Sequence, residues 1–273
     1  MTNPENPQAE QMRHESMRRT LRLQVAAIWP QERLLFDRYE QQGSPQRILD
    51  VGCGTGEGAA LLAERFPHAR ITGIDVEAEL IALARDRCAE FGERVTFEVG
   101  DAFQLAFPDA SFDIVACRHL LQILPQPERV LPELTRVTRP GGWVHVLAED
   151  YGMIYFHPTQ LDNTAFWHQG PIKMGMEMNT NMRGGRATYP MMHAAGLADI
   201  RMDMVIVDTL RVSRDIFIGI WEAWRDGFTD AIAAHSAFSR DEVAAHWEDM
   251  LACLRNPSGY ASWQIPVWSG QKP

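Results

Sequence analysis

The sequence predicts an α/β protein. It calls for a doubly wound, mostly parallel sheet of seven strands, with an N-terminal helix and helical insertions forming a lid. Three observations carry this. From residue 46 to about 150, short apolar runs alternate with helical stretches, the rhythm of strand–helix–strand units with right-handed crossovers. Those runs are apolar nearly throughout, as strands covered on both faces are. The first of them opens into "DVGCGTGEG", a glycine-rich turn from strand to helix.

The elements follow in order. "MTNPENPQAE" reads as a disordered tail. "MRRTLRLQVAAIW" puts Leu21, Val25 and Ile28 on one helical face, and Pro30 is expected to interrupt it. "QERLLFDRYEQQG" is a second helical piece that stops at Gly43. "RILDV" is the first strand, and the helix after the glycine turn runs to about Phe66. "ITGID" ends at Asp75, and a helix from Ala78 to Phe91 follows it. "VTFEV" and "FDIVAC" are the third and fourth strands.

"PERVLPELTRVTR" turns Val130, Leu131, Leu134 and Val137 to one face, and "RPGG" stops it. "WVHVLAE" is the fifth strand. Residues 150–186 show no clear period. A helix near Ala187–Ala195, a strand "IRMDMVIVD" and helices near Ser213–His235 and Arg240–Leu254 follow. Ser239 and Glu242 are spaced to cap the last helix reciprocally. "GYASWQIPVWSG" reads as a final antiparallel strand. The organisation is thus one domain: tail and cap helices at 1–45, a ligand-binding core at 46–150, substrate-covering insertions with a core helix and strand at 151–256, and the terminal strand at 257–273.

Composition narrows the function. The apolar share is 45% and the charged share 23%, ordinary for a globular chain. A net charge of −10 opposes a nucleic-acid partner. Arg13, Arg18, Arg19 and Arg22 read as a solvated helix face. Cys53, Cys88, Cys117 and Cys253 form no Cys-x-x-Cys pair, so no zinc site is expected. With no secretory leader in view, reduced thiols in a cytoplasm are the expectation. No apolar stretch approaches the roughly 18 residues of a membrane span.

Two ligands suit the glycine turn. Gly54 to Ala59 fits the G-x-G-x-x-A pattern of a dinucleotide site. Against a pyrophosphate stands Asp50, a carboxylate at the strand end just before the first glycine, where like charges repel. It suits an ammonium group instead. Asp75, ending the next strand, is placed to take two ribose hydroxyls. Amine, ribose and adenine together describe S-adenosylmethionine.

These motifs resemble those of class I S-adenosylmethionine-dependent methyltransferases of the small-molecule, UbiE-like type. "LDVGCGTGEG", "GIDVEAELIALAR", "VTFEVGDAFQLAFPDASFDIVACRHLL" and "ELTRVTRPGGWVHVLAE" occur in the family's order over residues 46–150. "IPVWSGQKP" is similar to its last strand. The resemblance implies a Rossmann-like methyltransferase fold and S-adenosyl-L-methionine as cofactor. It implies that Asp50 orients the methionine amine, and that Gly52, Gly54 and Gly56 permit close approach. Cys53 belongs to the same cradle as a small packing residue. Asp75 would hold the ribose and Val76 lie on the adenine. Asp101 would accept from the adenine amine beside Ala102 and Phe103. Arg118 and His119 would face the methionine tail and the methyl acceptor.

The expected function is methyl transfer to a small-molecule oxygen, nitrogen or sulfur nucleophile by in-line displacement in a pocket that excludes water. A nicotinamide-dependent oxidoreductase and a non-catalytic S-adenosylmethionine-binding protein are the alternatives. Cys117-Arg118-His119-Leu120 stands where base-methylating enzymes carry Asn/Asp-Pro-Pro-aromatic, and acidic ligands of metal-dependent relatives are missing there, so no metal is expected. Candidate bases are His157, His119 and Tyr151, with Asp150, Tyr155 and His168 behind them. Arg183 and Arg186 could bind an acidic group. Met174, Met176, Met178 and Met182 suggest adaptable lining. Phe217, Trp221, Trp224 and Phe228 are expected as pocket walls.

Overall fold

In the computed structural model, residues 15–273 are described; the tail and Arg13 fall outside them. Helix α1 spans Glu15–Glu32 and tightens into a 3-10 segment, Arg33–Gln42. Pro30 does not end α1, contrary to expectation. Its missing N–H costs one hydrogen bond, but Glu32 just beyond is buried and held by partners described below.

Strands β1 (Arg47–Val51), β2 (Arg70–Asp75) and β3 (Val95–Val99) alternate with α2 (Glu57–Arg65) and α3 (Ala78–Arg87). β4 (Phe112–Arg118), α4 (Val130–Val137) and β5 (Thr138–Leu147) complete the parallel part. β5 begins at Thr138 rather than Trp143, because Thr138 pairs with Phe112 across an irregularity in register.

The parallel order is β3-β2-β1-β4-β5. The chain reverses direction across the sheet between β1 and β4, and a crevice opens there beyond the strand carboxyl ends. Along β1, Ile48 faces the core under α2 and α3, and Leu49 and Val51 face the core under α4. Both faces are therefore covered, which is why the strands are apolar throughout. Val130, Leu131, Leu134 and Val137 are all fully buried, as their spacing predicts.

The second half departs from the expected seven strands. Among the described residues the sheet has eight: β6 (Ile154–His157) is an additional short strand inside the region that shows no period. Long β8 (Tyr260–Gln271) carries β7 (Ala198–Asp208) antiparallel on one edge. Its other edge is shared, β5 pairing with Val267–Gln271 and β6 with Tyr260–Trp263. Three helices, α5 (Asn163–Gln169), α6 (Pro171–Glu177) and α7 (Gly184–Ala194), fill the rest of the patternless stretch. α8 (Arg214–Ala234) and α9 (Arg240–Arg255) follow, and the Ser239–Glu242 capping box of α9 is formed.

These elements pack on an aromatic core in which Phe166, Trp167, Trp221, Trp247 and Trp263 are essentially inaccessible. α1 closes over them against α8, joined by an Arg19–Asp226 ion pair at 2.6 Å. Among the described residues no helix is long and apolar enough to cross a membrane.

Candidate active site

The glycine turn is locked from below. The N–H groups of Gly52 and Cys53 both donate to the Ile74 carbonyl at 2.9 Å, that of Gly54 to Asp75 Oδ2 at 3.0 Å, and that of Gly56 to the Cys53 carbonyl at 3.0 Å. Gly56 holds φ +84°, and a Cβ there would lie 3.0 Å from Ala84. These four donors are spent inside the protein. A pyrophosphate needs such groups free, and these four are not available to it. Carboxylates at Asp50, Glu57 and Asp75 line the same turn and add repulsion against an anion.

Asp75 accepts from Gly54 and, at 3.0 Å, from the Glu77 N–H. Burial raises its pKa, and these N–H groups pull against that rise. Beyond it a cavity runs past Val76, Gly100, Asp101, Ala102 and Phe103. Val76 keeps 47% of its surface exposed there, a large apolar side chain facing an open slot. Asp101 Oδ1 accepts from the Phe103 N–H at 2.8 Å, leaving its second oxygen for other partners.

Asp50 is buried, and burial pushes its carboxyl up to about 6 against the pull of Arg118. Arg118 is tied bidentately to Glu32, Nε to Oε1 at 2.8 Å and Nη2 to Oε2 at 2.6 Å. Its third nitrogen and Asp50 both lie beside Gly58: a Cβ there would sit 2.6 Å from Nη1 and 3.2 Å from Asp50 Oδ2. A side chain at Gly58 would collide with Arg118 Nη1 and crowd Asp50. Glu32 also meets His145 Nε2 at 3.0 Å, and His145 Nδ1 meets the Tyr39 hydroxyl at 2.8 Å. Burial alone would raise the Glu32 pKa, but Arg118 and His145 hold it at about 2. Thus α1 is bolted to the end of β4 by a buried ion pair.

Past this point the crevice continues. Leu21, His119 and Ile123 line both the Asp50–Arg118 cavity and a further one. The further cavity is walled by Tyr151, Met182, Trp224 and Phe228. His119 follows β4 in a left-handed backbone conformation, φ +57°. Its Nδ1 makes a very short contact with Glu149 Oε1. Glu149 stands just past β5, as Asp75 ends β2 and Asp101 follows β3. The strand-end position that singles out the others applies equally to Glu149, yet in the sequence it reads only as the close of a strand.

Of the candidate bases, the structure brings His119 and Tyr151 to the crevice and leaves the others out. His157 is exposed on β6, paired in register with Tyr260, and lines none of these cavities. Tyr155 and His168 are exposed as well. Asp150 is buried and spent on Arg186 and the Gly152 N–H. Burial, with Glu149 beside it, pushes the Tyr151 hydroxyl well above its ordinary range. Tyr151 therefore stays protonated and is a donor, not a base. Arg183 approaches Gly152 rather than the crevice. Of the methionines Met182 lines the cavity and Met176 is exposed; of the proposed walls, Trp224 and Phe228 reach it, whereas Phe217 and Trp221 are core.

The open α/β sheet, the glycine turn and the acids at successive strand ends together frame one crevice at the carboxyl ends of the strands. Residues 48–142 match the family described as methyltransferase domain. The chain is 38% identical over 130 residues to a phosphatidylethanolamine N-methyltransferase of Cereibacter sphaeroides, covering 45% of this chain and 63% of that one. It is 41% identical over 99 residues to a demethylmenaquinone methyltransferase of Deinococcus radiodurans, covering 36% and 41%. The chain thus spans under two thirds of the length of these relatives. The solved Haemonchus contortus phosphoethanolamine N-methyltransferase 2 superposes with TM-score 0.56 at 21% identity, over 90% of this chain and 53% of that one, and shares the fold.

Proposed function

We propose that the chain binds S-adenosyl-L-methionine along this crevice and transfers its methyl group to a small molecule held in the adjoining cavity. The continuity of the crevice carries the reading. The ribose–adenine slot and the Asp50–Arg118 cavity share Gly52, Asp75, Leu120 and Ile123, and the latter opens into the aromatic cavity through Leu21, His119 and Ile123.

Each part of the cofactor has a fitting group. Val76, Ala102 and Phe103 sandwich the adenine and Asp101 takes its amine. Asp75 holds the ribose hydroxyls. Gly52, Cys53, Gly54 and Gly56 let the methionine part lie close. Asp50 takes its ammonium and Arg118 Nη1 its carboxylate, a zwitterion matched by an opposed pair. The cofactor brings an electrophilic methyl on a good leaving group; the protein supplies alignment and exclusion of water.

The working unit is one domain: the 46–150 core binds the cofactor, and α1 with the 151–256 insertions covers the second substrate. Its partner is that small molecule, with no nucleic acid and no metal. The four cysteines are buried free thiols, which supports a reducing, cytoplasmic setting. The test is titration calorimetry with S-adenosylhomocysteine and, in parallel, reduced nicotinamide cofactor. The first binds and the second does not; the opposite pattern, or neither binding, ends this reading.

A further inference from the structure

The aromatic cavity holds a concentration of buried polar atoms without partners. Thr20 Oγ1, His119 Nε2, Gln122 Oε1 and Glu149 Oε2 are all inaccessible and unbonded, and all four residues line it. An unmade hydrogen bond at a buried polar atom costs about 1–3 kcal/mol. Four in one cavity mark a place shaped for a ligand, not for packing. The left-handed backbone at His119 is a further cost borne at the same spot.

Trp224 Nε1 on the same wall is buried and unbonded too and can only donate; the other four atoms lean the opposite way. A carboxylate only accepts, so whenever the His119 ring is neutral it donates from Nδ1 to Glu149 and leaves a lone pair on Nε2. Glu149 Oε2 and Gln122 Oε1 are acceptors too, and the Thr20 hydroxyl can accept. No lysine or arginine is among the described residues lining the cavity, which contains one carboxylate and the faces of Trp224, Tyr151 and Phe228. Acceptors, negative charge and aromatic faces together favour a cation rich in N–H donors.

We infer that the methyl acceptor is a primary or secondary amine that enters as its ammonium ion, with Glu149 as its counter-charge and His119 as the group that takes its proton. This rests on the methyl-transfer reading above. An ammonium has no lone pair and cannot attack. One N–H proton passes to His119 Nε2, and the imidazolium formed is held by Glu149. The freed lone pair forms the new C–N bond at the methyl carbon as the C–S bond breaks, its electron pair staying on sulfur. The products are the methylated ammonium and the thioether, and His119 returns its proton to water when the site opens.

Calorimetry on the protein saturated with S-adenosylhomocysteine tests this with matched probes: benzylamine against benzyl alcohol, and 2-phenylethylamine against 2-phenylethanol. The amines bind about tenfold or more tightly than the alcohols at pH 7. Glu149→Gln removes that preference and keeps S-adenosylhomocysteine affinity within about twofold, which also reports an intact fold. His119→Gln keeps amine binding but lowers methyl transfer from S-adenosylmethionine by about 100-fold or more, as loss of a general base does. Equal binding of alcohol and amine, no binding of any amine, a preference that survives Glu149→Gln, or transfer unaffected by His119→Gln overturns the inference. Failure of S-adenosylhomocysteine to bind is scored separately, against the underlying reading.

Discussion

The two ends of the crevice are built on opposite terms. At the proposed cofactor end, the groups on offer are backbone turns and acids at consecutive strand ends, and the N–H groups of Gly52, Cys53, Gly54 and Gly56 are already satisfied within the protein. At the far end, recognition rests on side chains gathered from α1, from the segments after β4 and β5, and from α8, and their polar atoms are unsatisfied. A preorganised cradle suits a ligand common to many proteins. A cavity with unmet hydrogen bonds suits one particular molecule, because buried groups left unpaired reject whatever cannot pair them.

Glu32 joins the ends, and removing it should have the largest effect. Glu32→Ala leaves Arg118 and His145 buried without their counter-charge. Breaking a buried pair in this way costs about 3–5 kcal/mol, read as a lower midpoint in urea unfolding. Replacing Arg118 by Met in the same chain should recover much of that loss, because a well-packed apolar pair avoids the desolvation that both charges suffer. If Glu32→Ala unfolds at the wild-type midpoint, α1 is not bolted to β4 and the two ends are independent.

Next in size is Asp75, the proposed ribose acid. Asp75→Ala should weaken S-adenosylhomocysteine binding by about 1.5–3 kcal/mol, the range for lost hydrogen bonds to a charged group. It also frees the Gly54 N–H, so part of the loss comes through the turn. Amine probes at the far end should bind Asp75→Ala nearly as they bind wild type, which calorimetry checks. Equal losses at both ends would erase the distinction drawn between them.

How much of this was legible follows the same divide. Gly52, Asp75 and Arg118 announce themselves because a strand end or a positive φ is a local property, written in adjacent residues. Glu149 obeys the same strand-end rule and was within reach. Glu32, Thr20 and Gln122 have no such signal: their roles arise only when α1 folds over the sheet. β6 and α5–α7 were illegible for a related reason. They are short, and they are held by aromatic neighbours such as Trp167 and Trp263 rather than by a period of their own, so tertiary packing overrides local pattern.

A smaller effect is expected from pH. Asp50 titrates near 6, raised above its ordinary value by burial. Below that pH it is neutral and, in the role proposed for it, no longer attracts the cofactor's ammonium. Affinity for S-adenosylhomocysteine should therefore fall about tenfold between pH 7 and pH 5, following the ionised fraction. The stability signs are opposite for the two buried acids. Asp50, raised above its unfolded value, penalises the free protein at neutral pH, and that penalty lifts as pH falls through about 6. Glu32, held at about 2, contributes stability above its unfolded value near 4.5 that is lost as pH falls toward 2. Asp50→Asn should flatten the affinity profile; a profile that keeps its slope would assign the proton to another group.

The smallest effect is expected at His157, the residue that the sequence favours most as a base. Its aromatic surroundings, "YGMIYFHP", suggest a pocket. The strand alternation of β6 explains why they do not make one for it. Ile154 and Phe156 turn inward, and Tyr155 and His157 turn out to solvent. Period two thus assigns the pocket side to the apolar pair and removes the histidine from it. His157→Ala should change stability by no more than about 0.5 kcal/mol, as surface substitutions do, and leave methyl transfer at the wild-type rate. Should that variant lose transfer while keeping its fold, the cap would have to rearrange in the working enzyme, and the far end of the crevice would not be the one described.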